Sequence, residues 1–287
     1  MCIIRPYTYY GGKAKYIRKI HDCIPEHTNW YEPYMGSAVT TLNYVRSKGK
    51  EVINDMGVGP ATFMKVLSDE VQGKELISRL LKLQPTKDIF EKAVKVMDKN
   101  KSDMELAIAQ YVLVTMSYNS ACKSFRNGMD TEEFRSNIRY HLPLVHKRLQ
   151  GVEVKNMDAL ELLNQIKDDK EAFVFLDPPY LPTHRGKNAD KIYPHEMSIE
   201  AHEKMLKILQ ITNNKVMLCG YRLDNGEVEL YDKYLLPYGW KCYKLADTYK
   251  DSQFKKKKDK ASEYIWVNYE LPYIARFRIS LKEYSSL

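Results

Sequence analysis

The chain has 287 residues and a formal net charge of +8, long enough to bury one large core, or a core carrying a sizeable insertion. No apolar run approaches the ~20 residues of a membrane span, and MCIIRPYTYY lacks the apolar segment and cleavage site of a secretory signal, so a cytoplasmic protein without a membrane association is expected. Cys2, Cys23, Cys122, Cys219 and Cys242 are scattered, with no CxxC pair and no histidine at ligand spacing. Buried thiols are expected rather than a structural zinc, and no cysteine sits beside a base that would make it a nucleophile.

The first motif in chain order is YYGGKAKY, residues 9–16. Its paired glycines before Lys13 suggest a phosphate loop, but a P-loop needs four residues between its glycines and a Ser or Thr after the lysine. Two readings remain, a tight turn that holds Lys13 near an acidic ligand and an ordinary turn. NWYEP (29–33) then reads as a strand, followed by a helical pattern over 38–47, so that YEPYMGSAVTTLN (31–43) is strand, glycine turn and helix. EVIND (51–55) reads as the next strand, with Asp55 nineteen residues beyond Gly36. That spacing matches a backbone turn approaching a nucleotide and an acid ~20 residues on that binds ribose hydroxyls. Ala38 stands where a dinucleotide fingerprint has its second glycine, which disfavours pyrophosphate. A nucleoside without phosphates, such as S-adenosylmethionine, still fits.

Strands then vanish. Helical patterns follow one another at 60–69, 73–83, 87–98 and 103–117, which points to a helical insertion, here bounded at 59–150, between a catalytic domain of residues 1–58 and 151–287. Its end is basic: residues 121–150 hold six Lys or Arg against three acids. The β-rich rhythm resumes with VEVKN (152–156), FVFL (173–176) and KVMLCGY (215–221), separated by helical patterns at 158–166 and 198–212, the last capped by Ser198. Alternating strands and helices predict a mostly parallel sheet. WKCYKLA (240–246) and EYIWVNYE (263–270) predict a terminal antiparallel hairpin around a lysine-rich loop. Residues 241–260 carry eight Lys against three Asp. This stretch and 121–150 together equal the whole net excess, which points to a polyanionic partner; for KKKKDK itself, phosphate contact and a solvated loop both stand.

FVFLDPPYLPTH (173–184) carries the chemistry. Prolines cannot extend the ladder, so a buried strand must leave the sheet at Asp177, at the carboxyl end where open α/β sheets bind ligands. The exocyclic amine of adenine is a poor nucleophile because its lone pair is delocalised into the ring. The Asp177 carboxylate and the Pro178 carbonyl can accept its two hydrogens, favouring a pyramidal nitrogen whose lone pair faces a methyl donor. Pro178 and Pro179 hold those acceptors rigidly, and Tyr180 can stack on the base. The plain alternative is a strand-ending turn with a solvent-facing acid.

YYGGK, EPYMG, IND and DPPY in that order resemble the Dam-type, D12 class adenine-N6 DNA methyltransferases over essentially the whole chain. The resemblance implies a Rossmann-like methyltransferase sheet with an inserted helical DNA-recognition domain, S-adenosylmethionine as donor without a metal, and a flipped adenine in double-stranded DNA as acceptor. It places Tyr9, Lys13, Glu32, Pro33, Tyr34, Gly36, Asp55, Asp158 and Asp177 at the cofactor, and Asp177, Pro178, Pro179 and Tyr180 at the target base. SYNSACKSFRNG is similar to the family's DNA-touching segment, which makes Tyr118, Asn119, Lys123 and Arg126 the DNA-contact candidates. The FNVPFG-like hairpin of GATC-reading members is not found, so no GATC target is implied. The span 184–196 has the composition of a loop that closes over the flipped base, and its His184 and His195 are expected at the surface. No obligate protein partner is expected. An RNA adenine-N6 methyltransferase and a DNA-binding protein that has lost catalysis are the competing readings; motif order and the basic insertion favour DNA, and intact Asp55 and Asp177 favour an enzyme.

Overall fold

The protein's structure, a computed structural model, describes residues 3–9, 11–97, 101–181, 196–222, 229–249 and 260–278. Lys255–Lys258, His184, His195 and most of the expected closing loop lie outside the described residues. The elements are α1 (Ile17–Asp22), β1 (Asn29–Glu32), α2 (Val39–Asn43), β2 (Glu51–Asn54), α3 (Val58–Ser68), α4 (Glu70–Leu81), α5 (Lys87–Met97), α6 (Asp103–Thr115), α7 (Thr131–Tyr140) and α8 (Leu142–Leu149). They continue with β3 (Glu153–Lys155), α9 (Ala159–Ile166), β4 (Ala172–Leu176), α10 (Ile199–Gln210), β5 (Lys215–Arg222), α11 (Leu230–Leu235), β6 (Lys241–Tyr249), β7 (Lys260–Val267) and α12 (Tyr273–Arg278). The chain forms two compact units: Met1–Lys15, Met35–Val45 and Glu51–Met157, and Tyr16–Tyr34, Arg46–Lys50 and Asp158–Leu287.

In the first unit β2 and β3 pair in parallel, with Asn54 opposite Lys155. Helices α3 to α8 fill the chain between these strands. Their starts follow local chemistry. Asp69 accepts from the N–H groups of Val71 and Gln72, Ser102 and Glu105 form a reciprocal capping box, and Asp130 accepts from Glu133 N. Each such cap is worth about 1 kcal/mol. The apolar faces converge in one core containing Phe63, Leu67, Leu80, Tyr111, Ile138 and Val145, with Tyr7 and Ile53 joining it. Arg148 of α8 forms a 2.7 Å ion pair with buried Glu51 of β2 and donates to the Thr41 carbonyl. Removing either partner would leave a buried charge uncompensated, a loss of about 3–5 kcal/mol.

Two expectations need correction here. The pattern over 38–47 yields only the short helix α2, because the Asn43 amide turns inward, donating to the Val39 and Ile4 carbonyls and accepting from Ile4 N, and Tyr44 is already extended. Conversely α7 and α8, in the basic end of the insertion, add two helices to the four patterns read there.

The second unit holds β1, β4 and β5 in parallel order, then β7 and β6 antiparallel, so the strand order is β1-β4-β5-β7-β6. This mixed α/β architecture, mostly parallel with a terminal antiparallel hairpin, is the fold class expected of a Rossmann-like methyltransferase. Every residue of β4 is buried, as the FVFL run requires of a central strand. Trp30, Phe173, Phe175 and Trp266 are among its largest fully buried side chains. Ser198 caps α10 through Ala201 N, and Met205, Leu206 and Leu209 face the core as their spacing predicts. Cys23, Cys219 and Cys242 are buried and Cys122 is partly so. Burial pushes the Cys23 thiol up to about 12 and the Cys122 thiol up to about 11, which keeps both protonated and unreactive near neutrality. Among the described residues, no helix is long and apolar enough to cross a membrane.

Candidate functional site

In the first unit the glycine motif is a turn. Gly12 N donates to Tyr9 O at 3.1 Å, Gly11 takes a positive φ of 74°, and Nζ of the buried Lys13 donates to Gly11 O at 3.1 Å. The turn brings the Tyr9 ring against Gly36. A Cβ at Gly36 would stand 2.8 Å from Tyr9 Cδ1, and its φ of 49° also favours glycine. Only a residue without a side chain lets ring and backbone approach this closely.

Asp55 sits directly past the carboxyl end of β2 and is oriented by main chain. Its Oδ2 accepts from Gly36 N at 3.0 Å and its Oδ1 from Gly57 N at 2.8 Å. The spacing of Gly36 and Asp55 seen in the sequence therefore corresponds to a direct contact. Next to it, the buried Asn54 side chain bonds the Met157 main chain in both directions, at 3.1 Å and 3.0 Å, and fixes the chain leaving β3.

In the second unit β1 ends on buried Glu32, followed by buried Pro33. The Tyr34 hydroxyl points at the sulfurs of Met197 and Met205, 3.7 Å from each. Desolvation, then the charge of Asp158, raises the Tyr34 pKa and keeps the phenol neutral. Asp158 is exposed and caps α9, its Oδ1 accepting from Leu160 N at 2.7 Å. A ligand amine would have to share that carboxylate with the helix.

The DPPY segment follows β4 without a turn. Asp177 is half-buried, Pro178 is buried, and Pro179 and Tyr180 are half-buried. The Tyr180 hydroxyl donates to Glu263 of β7, and its ring meets that of Tyr221 of β5 edge-on, with centroids 4.5 Å apart and planes 75° apart. Desolvation first, then the charges of Glu263 and Asp177, raises the Tyr180 pKa well above that of an ordinary phenol. It is a neutral donor at any physiological pH.

The DNA-contact candidates share one loop between α6 and α7. Ser117 and Phe125 form an isolated bridge, Arg126 N donates to Met116 O at 2.8 Å, and Cys122 N donates to Ser117 Oγ at 2.9 Å. Asn119, Ser120 and Cys122 all take positive φ, a conformation worth ~1–3 kcal/mol of strain each in residues other than glycine. Tyr118, Asn119 and Lys123 are exposed, and Arg126 lies 3.7 Å from exposed Glu133.

The family model described as D12 class N6 adenine-specific DNA methyltransferase matches residues 9–262. The chain belongs to this family. It is also 25% identical to "Modification methylase StsI" of Streptococcus sanguinis over 226 residues, which cover 72% of this chain and 33% of that protein. The chain thus spans about a third of the length of this curated relative.

The segments that carry the D12 resemblance are seen here in two sets. Tyr9, Lys13, Gly36 and Asp55 come together in the first unit through main-chain bonds and the Tyr9–Gly36 contact, whereas Tyr34 and Asp158, and separately Asp177 to Tyr180, lie in the second. Sequence reasoning missed Glu263, Tyr221, Asn54 and Gly57. Asn54 and Gly57 flank Asp55, and the buried position of Asn54 at a strand's end was the available signal. Glu263 offered none, because its role depends on strand register.

Proposed function

We propose that this D12 family member transfers a methyl group from S-adenosylmethionine to the N6 amine of a flipped adenine in a short duplex DNA sequence. The observation that carries the reading is the DPPY segment at the carboxyl end of fully buried β4, with Tyr180 held in one orientation. Supporting it are the family match and the acids that stand at or past strand ends: Glu32 after β1, Asp55 after β2, Asp158 after β3 and Asp177 after β4.

The residues fit the donor. S-adenosylmethionine offers a sulfonium and an ammonium cation, ribose hydroxyls and an exocyclic amine, which match carboxylates, and a flat base that matches aromatic rings. When bound, it supplies an electrophilic methyl group for direct displacement by nitrogen. Asp55 would accept the ribose hydroxyls, at the carboxyl end of β2. Asp158 would accept from the cofactor's amine, and Tyr9, Lys13, Glu32, Pro33, Tyr34 and Gly36 would shape the rest of its pocket. Asp177 and the Pro178 carbonyl would accept hydrogen bonds from the target amine, and the Asp177 carboxylate would offset the positive charge that builds on N6 as its bond to the methyl carbon forms and the carbon–sulfur bond breaks, until N6 loses its proton to solvent. Tyr180 would stack on the flipped base, offsetting part of the few kcal/mol that unstacking costs.

Residues 59–150 would supply target recognition, with Tyr118, Asn119, Lys123 and Arg126 on the phosphates or base edges. The test is transfer of tritium from labelled S-adenosylmethionine to unmethylated genomic DNA and, in parallel, to structured RNA, followed by nucleoside digestion. Label in N6-methyldeoxyadenosine from DNA is expected, at one short motif when the modified positions are sequenced. Label in RNA alone would replace the reading with an RNA methyltransferase, and no label in either would leave a binding protein.

A further inference from the structure

Glu263 is 3% exposed, a carboxylate in the interior of the second unit. It stands directly opposite Tyr221 in the antiparallel pairing of β5 and β7. Opposite residues of such a pair project from the same face of the sheet, so Tyr221 and Glu263 form one cross-strand unit. Tyr180 rests on both of them, in an edge-to-face ring contact with Tyr221 and through its hydroxyl on Glu263. A tyrosine ring has two side-chain torsions, and these two contacts constrain both of them. An apolar residue at 263 with phenylalanine at 180 would fill similar volume without burying a charge, and such replacements are often neutral or stabilising.

We infer that Glu263 is a positioning residue for methyl transfer: through the Tyr180 hydroxyl it fixes the plane on which the target base stacks, with Tyr221 as the second point of the mount. This rests on the reading of Tyr180 as the stacking residue. The hydroxyl is then engaged inside the protein, and Tyr180 meets the base with its ring alone.

The experiment compares wild type with Glu263→Gln, Glu263→Met, Tyr180→Phe and the Tyr180→Phe/Glu263→Met double variant, reading kcat, KM for both substrates, and the fluorescence of 2-aminopurine at the target position. Glu263→Met is expected to lower kcat about thirtyfold, the scale on which small misplacements act, with both KM values within about threefold and the 2-aminopurine signal changed. Glu263→Gln keeps an acceptor at the same reach and is expected to stay within about threefold of wild type. Tyr180→Phe keeps the ring but loses the anchor, and is expected to match Glu263→Met, with the double variant no worse than either. Wild-type kcat in Tyr180→Phe, or equal losses in Glu263→Gln and Glu263→Met, would overturn the inference. So would a fall in thermal stability with kcat and fluorescence unchanged. An inactive wild type would instead sink the methyltransferase reading itself, and the two failures are therefore distinct.

Discussion

In the first unit the Asp55 carboxylate is held by the main-chain N–H groups of Gly36 and Gly57, whereas in the second the Tyr180 ring is held by the side chains of Tyr221 and Glu263. The two devices suit different tasks. Main-chain donors orient a carboxylate at a strand's end, which suits the proposed contact with a small ligand's hydroxyls. A side-chain mount fixes a ring plane, which suits the proposed stacking of a base that arrives from outside. The main-chain brace is strained by any side chain at Gly36, while the side-chain mount can be weakened by one substitution without disturbing the strand that carries it.

The largest effect is expected at the reacting end. Asp177→Ala should reduce methyl transfer by about 10³-fold or more, since it removes the acceptor aimed at the target amine, while non-specific DNA binding in a filter assay stays near wild type. Breaking the main-chain brace comes next. Asp55→Ala leaves two N–H groups without their acceptor, at a cost of about 2–4 kcal/mol if both stay dry, and should weaken S-adenosylmethionine binding by about 10²-fold in calorimetry. Gly36→Ala attacks the same brace through shape: strain at positive φ and the clash with Tyr9 should cost about 1–3 kcal/mol and lower the melting temperature together with cofactor affinity. The smallest effect should follow Lys123→Ala/Arg126→Ala, which would lower the slope of log affinity against log salt by about 2 if both residues meet phosphates. An unchanged slope would remove that loop from the DNA-contacting surface.

Much of the sheet was legible because its strands are short apolar runs ending in turn residues, and DPPY announced itself because prolines cannot continue a buried strand. Helix α10 was legible from Ser198, whose hydroxyl starts it, and α6 from its apolar pattern, whereas the Ser102 cap of α6 emerged only in the structure. Helices α7 and α8 were passed over although Phe134, Ile138, Leu142, Val145 and Leu149 recur at helical spacing and all are buried. The arginines and glutamates between them drew attention to charge instead of period. Asp55 was found by its distance from Gly36 along the chain, because the contact they make is local to the stretch that runs from the glycine turn through α2 to the end of β2. Glu263 lies 83 residues from Tyr180, and its placement depends on how β5 and β7 register, which no local pattern in the sequence encodes.

The central claim is most directly tested by digesting duplex DNA after incubation with S-adenosylmethionine and either wild type or Asp177→Ala, and measuring the modified nucleosides by mass spectrometry. N6-methyldeoxyadenosine from the wild-type incubation, and none from a variant that still binds DNA, is the expected result. The same product from both proteins, or a methyl group on cytosine instead of adenine, would contradict the account.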